Sequence, residues 1–129
     1  MDLGLSGRTL TSHHVEYTVG LQLSDEYFVR IESRFTLTVA GTTTVLSPEV
    51  DPVSAFEPLS HLVGQVITAS EVDDTGSLTV AFDGGNSLLV EPDRNYEAWT
   101  VTGPKGMIIV CQPGGELAIW HATERPDRQ

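Results

Sequence analysis

The chain has 129 residues, 40% of them apolar, and a net charge of −11 from 7 basic and 18 acidic side chains. This suits one globular domain spanning 1–129, too apolar to stay disordered and long enough to bury about two-thirds of its unfolded surface without a metal or disulfide staple. One lysine in an acidic chain excludes a phosphate-backbone clamp for nucleic acid and an anionic-membrane binder, and favours a basic protein partner.

The first half reads as an antiparallel meander. Val15-Glu16-Tyr17-Thr18-Val19 alternates apolar and polar residues, as does Leu21-Gln22-Leu23, and Tyr27 to Ile31 follows the turn Ser24-Asp25-Glu26. Phe35 to Val39 repeats the period of two, Gly41 marks a turn, and Thr42 to Leu46 is β-branched. Asp51-Pro52 then has the form of a helix start, with Asp51 as N-cap and Pro52 in the first turn. Phe56, Leu59, Leu62 and Val63 take helical spacing up to Gly64, and Pro58 predicts a short or kinked helix over 52–63.

The second half is β again. Strands are expected over Val66 to Glu71, Ser77 to Phe82, Ser87 to Val90, Tyr96 to Thr102, Met107 to Cys111 and Glu116 to Trp120. Turns fall at Asp73-Asp74-Thr75-Gly76, Asp83-Gly84-Gly85-Asn86, Gly103-Pro104-Lys105-Gly106 and Pro113-Gly114-Gly115. The tail from Glu124 to Gln129 is polar and expected to fray.

The halves resemble each other. Gly7-Arg8-Thr9-Leu10-Thr11 lines up with Gly64-Gln65-Val66-Ile67-Thr68, Val29-Arg30-Ile31-Glu32 with Leu88-Leu89-Val90-Glu91, and Leu37 to Gly41 with Trp99 to Gly103. The fold class predicted is therefore α+β and mostly antiparallel. Two pseudo-repeated β meanders, about 7–48 and 64–120, are joined by one short helix. They would either form one curved sheet or face each other as layers.

Chemistry is sparse. No nucleophile motif, phosphate loop or Cys-x-x-Cys occurs, so no catalytic residue and no cofactor is assigned, and the chain leans toward a non-enzyme. His13 and His14 point to opposite strand faces, so only His14 and Glu16 share a side, and no metal site is assigned. The lone Cys111 in an apolar strand reads as a core residue in a reducing, cytoplasmic setting, and the first residues predict no signal peptide. No apolar stretch approaches the ~20 residues of a membrane span. The segment with most functional character is Asp93-Arg94-Asn95-Tyr96-Glu97-Ala98-Trp99, where a strand would put Glu97 beside Trp99. Asp93, Tyr96, Glu97, Trp99 and Trp120 are the candidate binding residues. Acidic turns at Asp25-Glu26, Asp73-Asp74, Asp83 and Asp93 would form an acidic rim if they shared one edge.

Leu78 to Gly85, Glu91-Pro92-Asp93, Tyr96-Glu97-Ala98-Trp99 and Pro113-Gly114-Gly115-Glu116-Leu117-Ala118-Ile119-Trp120 resemble an uncharacterised family of small actinobacterial proteins. That resemblance implies relatives and no reaction. In size and composition the chain is also similar to immunity proteins that neutralise toxins. The leading expectation is an acidic, non-enzymatic protein-binding module, with an immunity-type inhibitor as its most specific form. Two alternatives stand beside it: a small-molecule binder or enzyme with a pocket between the units, lined by Glu97, Tyr96 and His14 or His121, and a structural homodimer paired through its β edges.

Overall fold

A computed structural model describes residues 1–121. The chain-terminal expectation for Glu124 to Gln129 lies outside the described residues. The first half forms β1 (Leu10–Val15), β2 (Val19–Leu23), β3 (Phe28–Ile31), β4 (Phe35–Val39) and β5 (Thr42–Leu46). The second forms β6 (Ile67–Val72), β7 (Leu78–Phe82), β8 (Ser87–Val90), β9 (Trp99–Thr102), β10 (Ile108–Cys111) and β11 (Leu117–Trp120).

All pairings are antiparallel, and they make two sheets. One has six strands in the order β1-β2-β3-β9-β10-β11, and the other has five in the order β5-β4-β8-β7-β6. The meanders are therefore neither two separate layers nor one curved sheet. Each half gives its first three strands to one sheet, crosses over, and gives the rest to the other. The crossings are sealed by β3 pairing with β9 and β4 with β8.

The hydrogen bonds at the start of each half are reciprocal. Thr9 bridges Val66. Gly7 donates its N–H to the Ile67 carbonyl at 2.8 Å, and Gly64 donates to the Leu10 carbonyl at 2.7 Å. Leu10 donates to Gln65 while Ile67 donates to Arg8. These partners are the residues that the sequence aligns, so a local twofold axis passes through the Thr9–Val66 bridge. Gly7 and Gly64 take the same positive φ, +90° and +92°, a conformation that glycine adopts without a Cβ penalty. Both β1 and β6 carry a bulge at the equivalent place, Leu10/Ser12 and Ile67/Ala69.

Two local expectations, the Val15–Val19 strand and the Asp51 cap, need correction, and the short helix expected over 52–63 is present in a tighter form. Val15 to Val19 is not a strand: β1 ends at Val15, and the turn closes with Glu16 N–H on the Thr18 carbonyl, leaving Tyr17 at its tip. Val53–Leu62 is a 3₁₀ helix. Pro58 removes one donor, and Phe56, Leu59 and Leu62 recur every three residues, the 3₁₀ period, which buries all three on one side. Asp51 does not cap this helix; its carboxylate accepts from the Ser47 N–H at 2.7 Å and fastens the preceding turn.

The core between the sheets takes alternate residues of the inner strands, including Leu21, Ile31, Phe35, Leu37, Val80, Val90, Trp99 and Val101, with Phe56 and Leu59 of the 3₁₀ helix closing one side. Burying side chains of this size contributes about 1.5–3 kcal/mol each before conformational entropy is subtracted.

Candidate functional site

The two crossovers meet at the end of the sheets opposite the Thr9–Val66 bridge. The first, from β3 to β4, is Glu32-Ser33-Arg34. The second, from β8 to β9, runs from Glu91 to Ala98 and bulges outward. They touch where the Ser33 hydroxyl donates to the Glu91 carbonyl at 3.3 Å. Between them lies a cleft of about 300 Å³ lined by Glu32, Arg34, Glu49, Glu91, Asp93 and Tyr96, among others. A neighbouring hollow shares Glu32, Glu49 and Tyr96 and extends to Tyr17 and Thr18 on the β1–β2 turn.

This groove is acidic and carries aromatic walls. Tyr17 is 83% exposed and Tyr96 63% exposed. Among the described residues, no carboxylate of the groove lies within salt-bridge distance of a basic side chain. Partial burial raises the pKa of Glu32, the Glu97 carboxylate raises it further, and Arg30 opposes both. The groove thus concentrates negative charge where water is partly excluded, which strengthens its pull on a cation.

The structure distributes the five candidate residues over three environments. Asp93 shapes the loop. Its Oδ1 accepts from the N–H groups of Asn95 (2.8 Å) and Tyr96 (3.2 Å), and its carbonyl accepts from Gly114. Tyr96 and Glu97 follow on that loop and are exposed. They are not on a strand: β9 begins at Trp99, so no strand face holds Glu97 beside the indole.

Trp99 is wholly buried, and its indole N–H donates to the Gly76 carbonyl at 3.0 Å. It is a core anchor and presents no surface to a partner. Trp120 is 56% exposed but sits at the far end of β11, paired with Ile108, at the opposite end of the sheet from Tyr96. His14 and His121 fall at opposite edges of the six-stranded sheet, so Glu97 and Tyr96 do not share a pocket with both.

The acidic turns also separate. Asp73-Asp74 and Asp93 lie at the crossover end, whereas Asp25-Glu26 and Asp83 lie at the bridge end. Asp73 accepts from Thr75 and Ser77, and these hydrogen bonds, the Thr75 hydroxyl first, hold its pKa below the ordinary value. Asp25 pairs with Arg8 at 2.8 Å.

Glu32, Glu49, Glu91 and Tyr17 were not singled out from sequence. A signal existed for two of them: aligning Ile31-Glu32 with Val90-Glu91 makes the carboxylates equivalent, each one step past a strand that ends at a crossover.

Cys111 is buried, and burial pushes its thiol pKa up, against a smaller lowering by the hydrogen bond with Ala98. The thiol is protonated at neutral pH and is a poor nucleophile. Among the described residues no three His, Cys, Asp or Glu side chains gather as a metal site, and no helix is long and apolar enough to cross a membrane.

These features define a class: an antiparallel two-sheet protein with local twofold symmetry and an acidic groove at one end of the axis. The profile of a family of unknown function (DUF6188) matches residues 1–121, and the chain belongs to that family. Comparisons with curated proteins and with solved structures gave no match.

Proposed function

We propose that the groove between the crossovers receives a basic segment of a partner protein, and that the protein is a non-enzymatic binding module of the immunity-inhibitor kind. The observation that carries this reading is the set of carboxylates Glu32, Glu49 and Glu91, none within salt-bridge distance of a basic side chain among the described residues, flanked by the exposed rings of Tyr17 and Tyr96. A lysine or arginine entering there gains charge pairing and a cation–π contact together. The same surface repels acidic partners, which gives it selectivity. The lone cysteine Cys111, buried in the core, suits a reducing, cytoplasmic setting, and an actinobacterial origin belongs to the same reading.

The test uses a photo-crosslinker placed at Tyr96 in a native lysate, followed by titration of the captured partner. Binding should weaken with salt and fall at least about tenfold in Tyr96→Ala and in a Glu32→Gln, Glu49→Gln, Glu91→Gln triple variant. Affinity unchanged in both variants would rule the groove out.

A further inference from the structure

We infer that the acidic groove is the head of a longer trough, and that the partner's basic segment lies along it extended, with an apolar side chain about four residues from its cation seated between β1 and the 3₁₀ helix. This rests on the groove being the binding face. Two stretches of chain wall the trough, residues 13–18 and residues 49–60. Beside the groove, Tyr17 and Thr18 of the first wall and Glu49 of the second line a hollow of about 290 Å³. Farther along the same walls, His14 and Val15 with Val53, Phe56 and Glu57 line a hollow of about 310 Å³. β1 and the helix pack against each other there.

The two hollows offer different chemistry. The first shares Glu32, Glu49 and Tyr96 with the groove and is acidic. In the second, the polar groups already have neighbours. The Ser60 hydroxyl lies 3.2 Å from the Glu57 carboxylate, His61 lies 3.7 Å from it, and His14 lies 3.3 Å from Glu16. What stays open is apolar. Phe56, Leu59 and Leu62 form the buried stripe of the helix, and Val53 continues it by one more step of three. Yet Val53 is 63% exposed among the described residues, above a half-buried Val15.

Charge and reach select the occupant. A second copy carries −11 and is repelled by the groove. The described chain ends at His121 on β11, at the opposite edge of the six-stranded sheet from β1, and Ala122 to Gln129 contain no large apolar side chain. A basic partner segment is held at Glu32 and its neighbours and must leave along the walls. Val15, Val19 and Ile31 share one row of the sheet. Glu32 therefore lies two strands across from β1, about 10 Å, and the hollow two to three residues down the strand, about 8 Å. The diagonal, about 13 Å, is four residues of extended chain.

Fluorescence anisotropy on the full chain tests this with blocked Gly/Ser peptides. Each carries an Arg-Arg pair and one leucine, placed at every spacing on either side of the pair. Binding should be tightest near a spacing of four, at least about fivefold tighter than for the leucine-free peptide. Val53→Asp should remove the leucine gain and keep the salt-sensitive binding through arginine. A readout free of any variant is the amide spectrum of wild type: the leucine should shift Val15 and Ser60, and the leucine-free peptide should not.

Arginine peptides that bind without preferring leucine would overturn the inference and leave the groove reading standing; failure of every peptide to bind would overturn both. A leucine gain that survives Val53→Asp with the Val15 and Ser60 amides unmoved would also overturn it. So would a gain seen only after removal of residues 122–129, which would give the hollow to the tail, or self-association lost in Val53→Asp, which would give it to a second copy.

Discussion

The two crossovers do the same topological job with different amounts of chain. Glu32-Ser33-Arg34 passes from one sheet to the other in three residues, each strand end leading directly to the next. The equivalent passage after β8 takes Glu91 to Ala98 and carries Arg94, Asn95, Tyr96 and Glu97, all exposed. Three residues suffice for the crossing, so the extra length is free for another use. Long loops add little entropic cost to a fold that already holds their ends together. The longer crossover is held at both ends, by the Asp93 turn and by Trp99 in the core, and offers Tyr96 between them.

The comparison can be broken most severely at the buried end. Trp99→Ala removes a fully buried indole and leaves the Gly76 carbonyl only the weak Cys111 thiol as donor; the expected loss is about 3–5 kcal/mol of unfolding free energy. Chemical denaturation would measure it, and a loss below about 1 kcal/mol would contradict the anchoring role.

At the other end of the loop, Asp93→Ala should cost about 1 kcal/mol in stability. It should also weaken partner binding, because Tyr96 is released from its turn. Asp93→Asn, which keeps an acceptor, should restore most of both.

The smallest effect is expected at Glu32, on the short crossover. The pKa of Glu32 is raised in the folded state, chiefly by burial, so ionising it opposes folding. The penalty grows as pH rises through the ordinary value of 4.5 toward the raised folded value, persists at neutral pH, and disappears below 4.5. Glu32→Gln should therefore stabilise the protein at pH 7 by under about 1 kcal/mol, the partly solvated carboxylate being screened, and should change nothing at low pH. A difference growing on acidification would reverse the sign and refute the cause.

Much of the strand pattern was legible because alternation reports which face is buried. Phe35 to Val39, Thr42 to Leu46 and Ser87 to Val90 have the expected bounds. Alternation does not report which neighbour a strand takes, and so the exchange of strands between sheets was invisible. The pattern also misled where a polar turn imitates it: Glu16-Tyr17-Thr18 alternates yet forms a hairpin tip. Tyr96-Glu97-Ala98-Trp99 alternates too, but the Asp93 carboxylate captures the N–H groups of Asn95 and Tyr96 and delays the strand to Trp99. The groove was half legible. Tyr96 and Asp93 stood out by composition, whereas Tyr17, Glu32 and Glu49 reach it only through the folding of distant segments.

The exchange of strands also governs how the chain comes into being. When the first half leaves the ribosome, β3 lacks β9 and β4 lacks β8, so neither sheet can close. The amphipathic strands of that half must wait for residues near the other end of the chain, which favours late, slow and all-or-none folding. In that interval β3 and β4 are unpaired edges, and a nascent chain is at its most vulnerable to pairing with a neighbour.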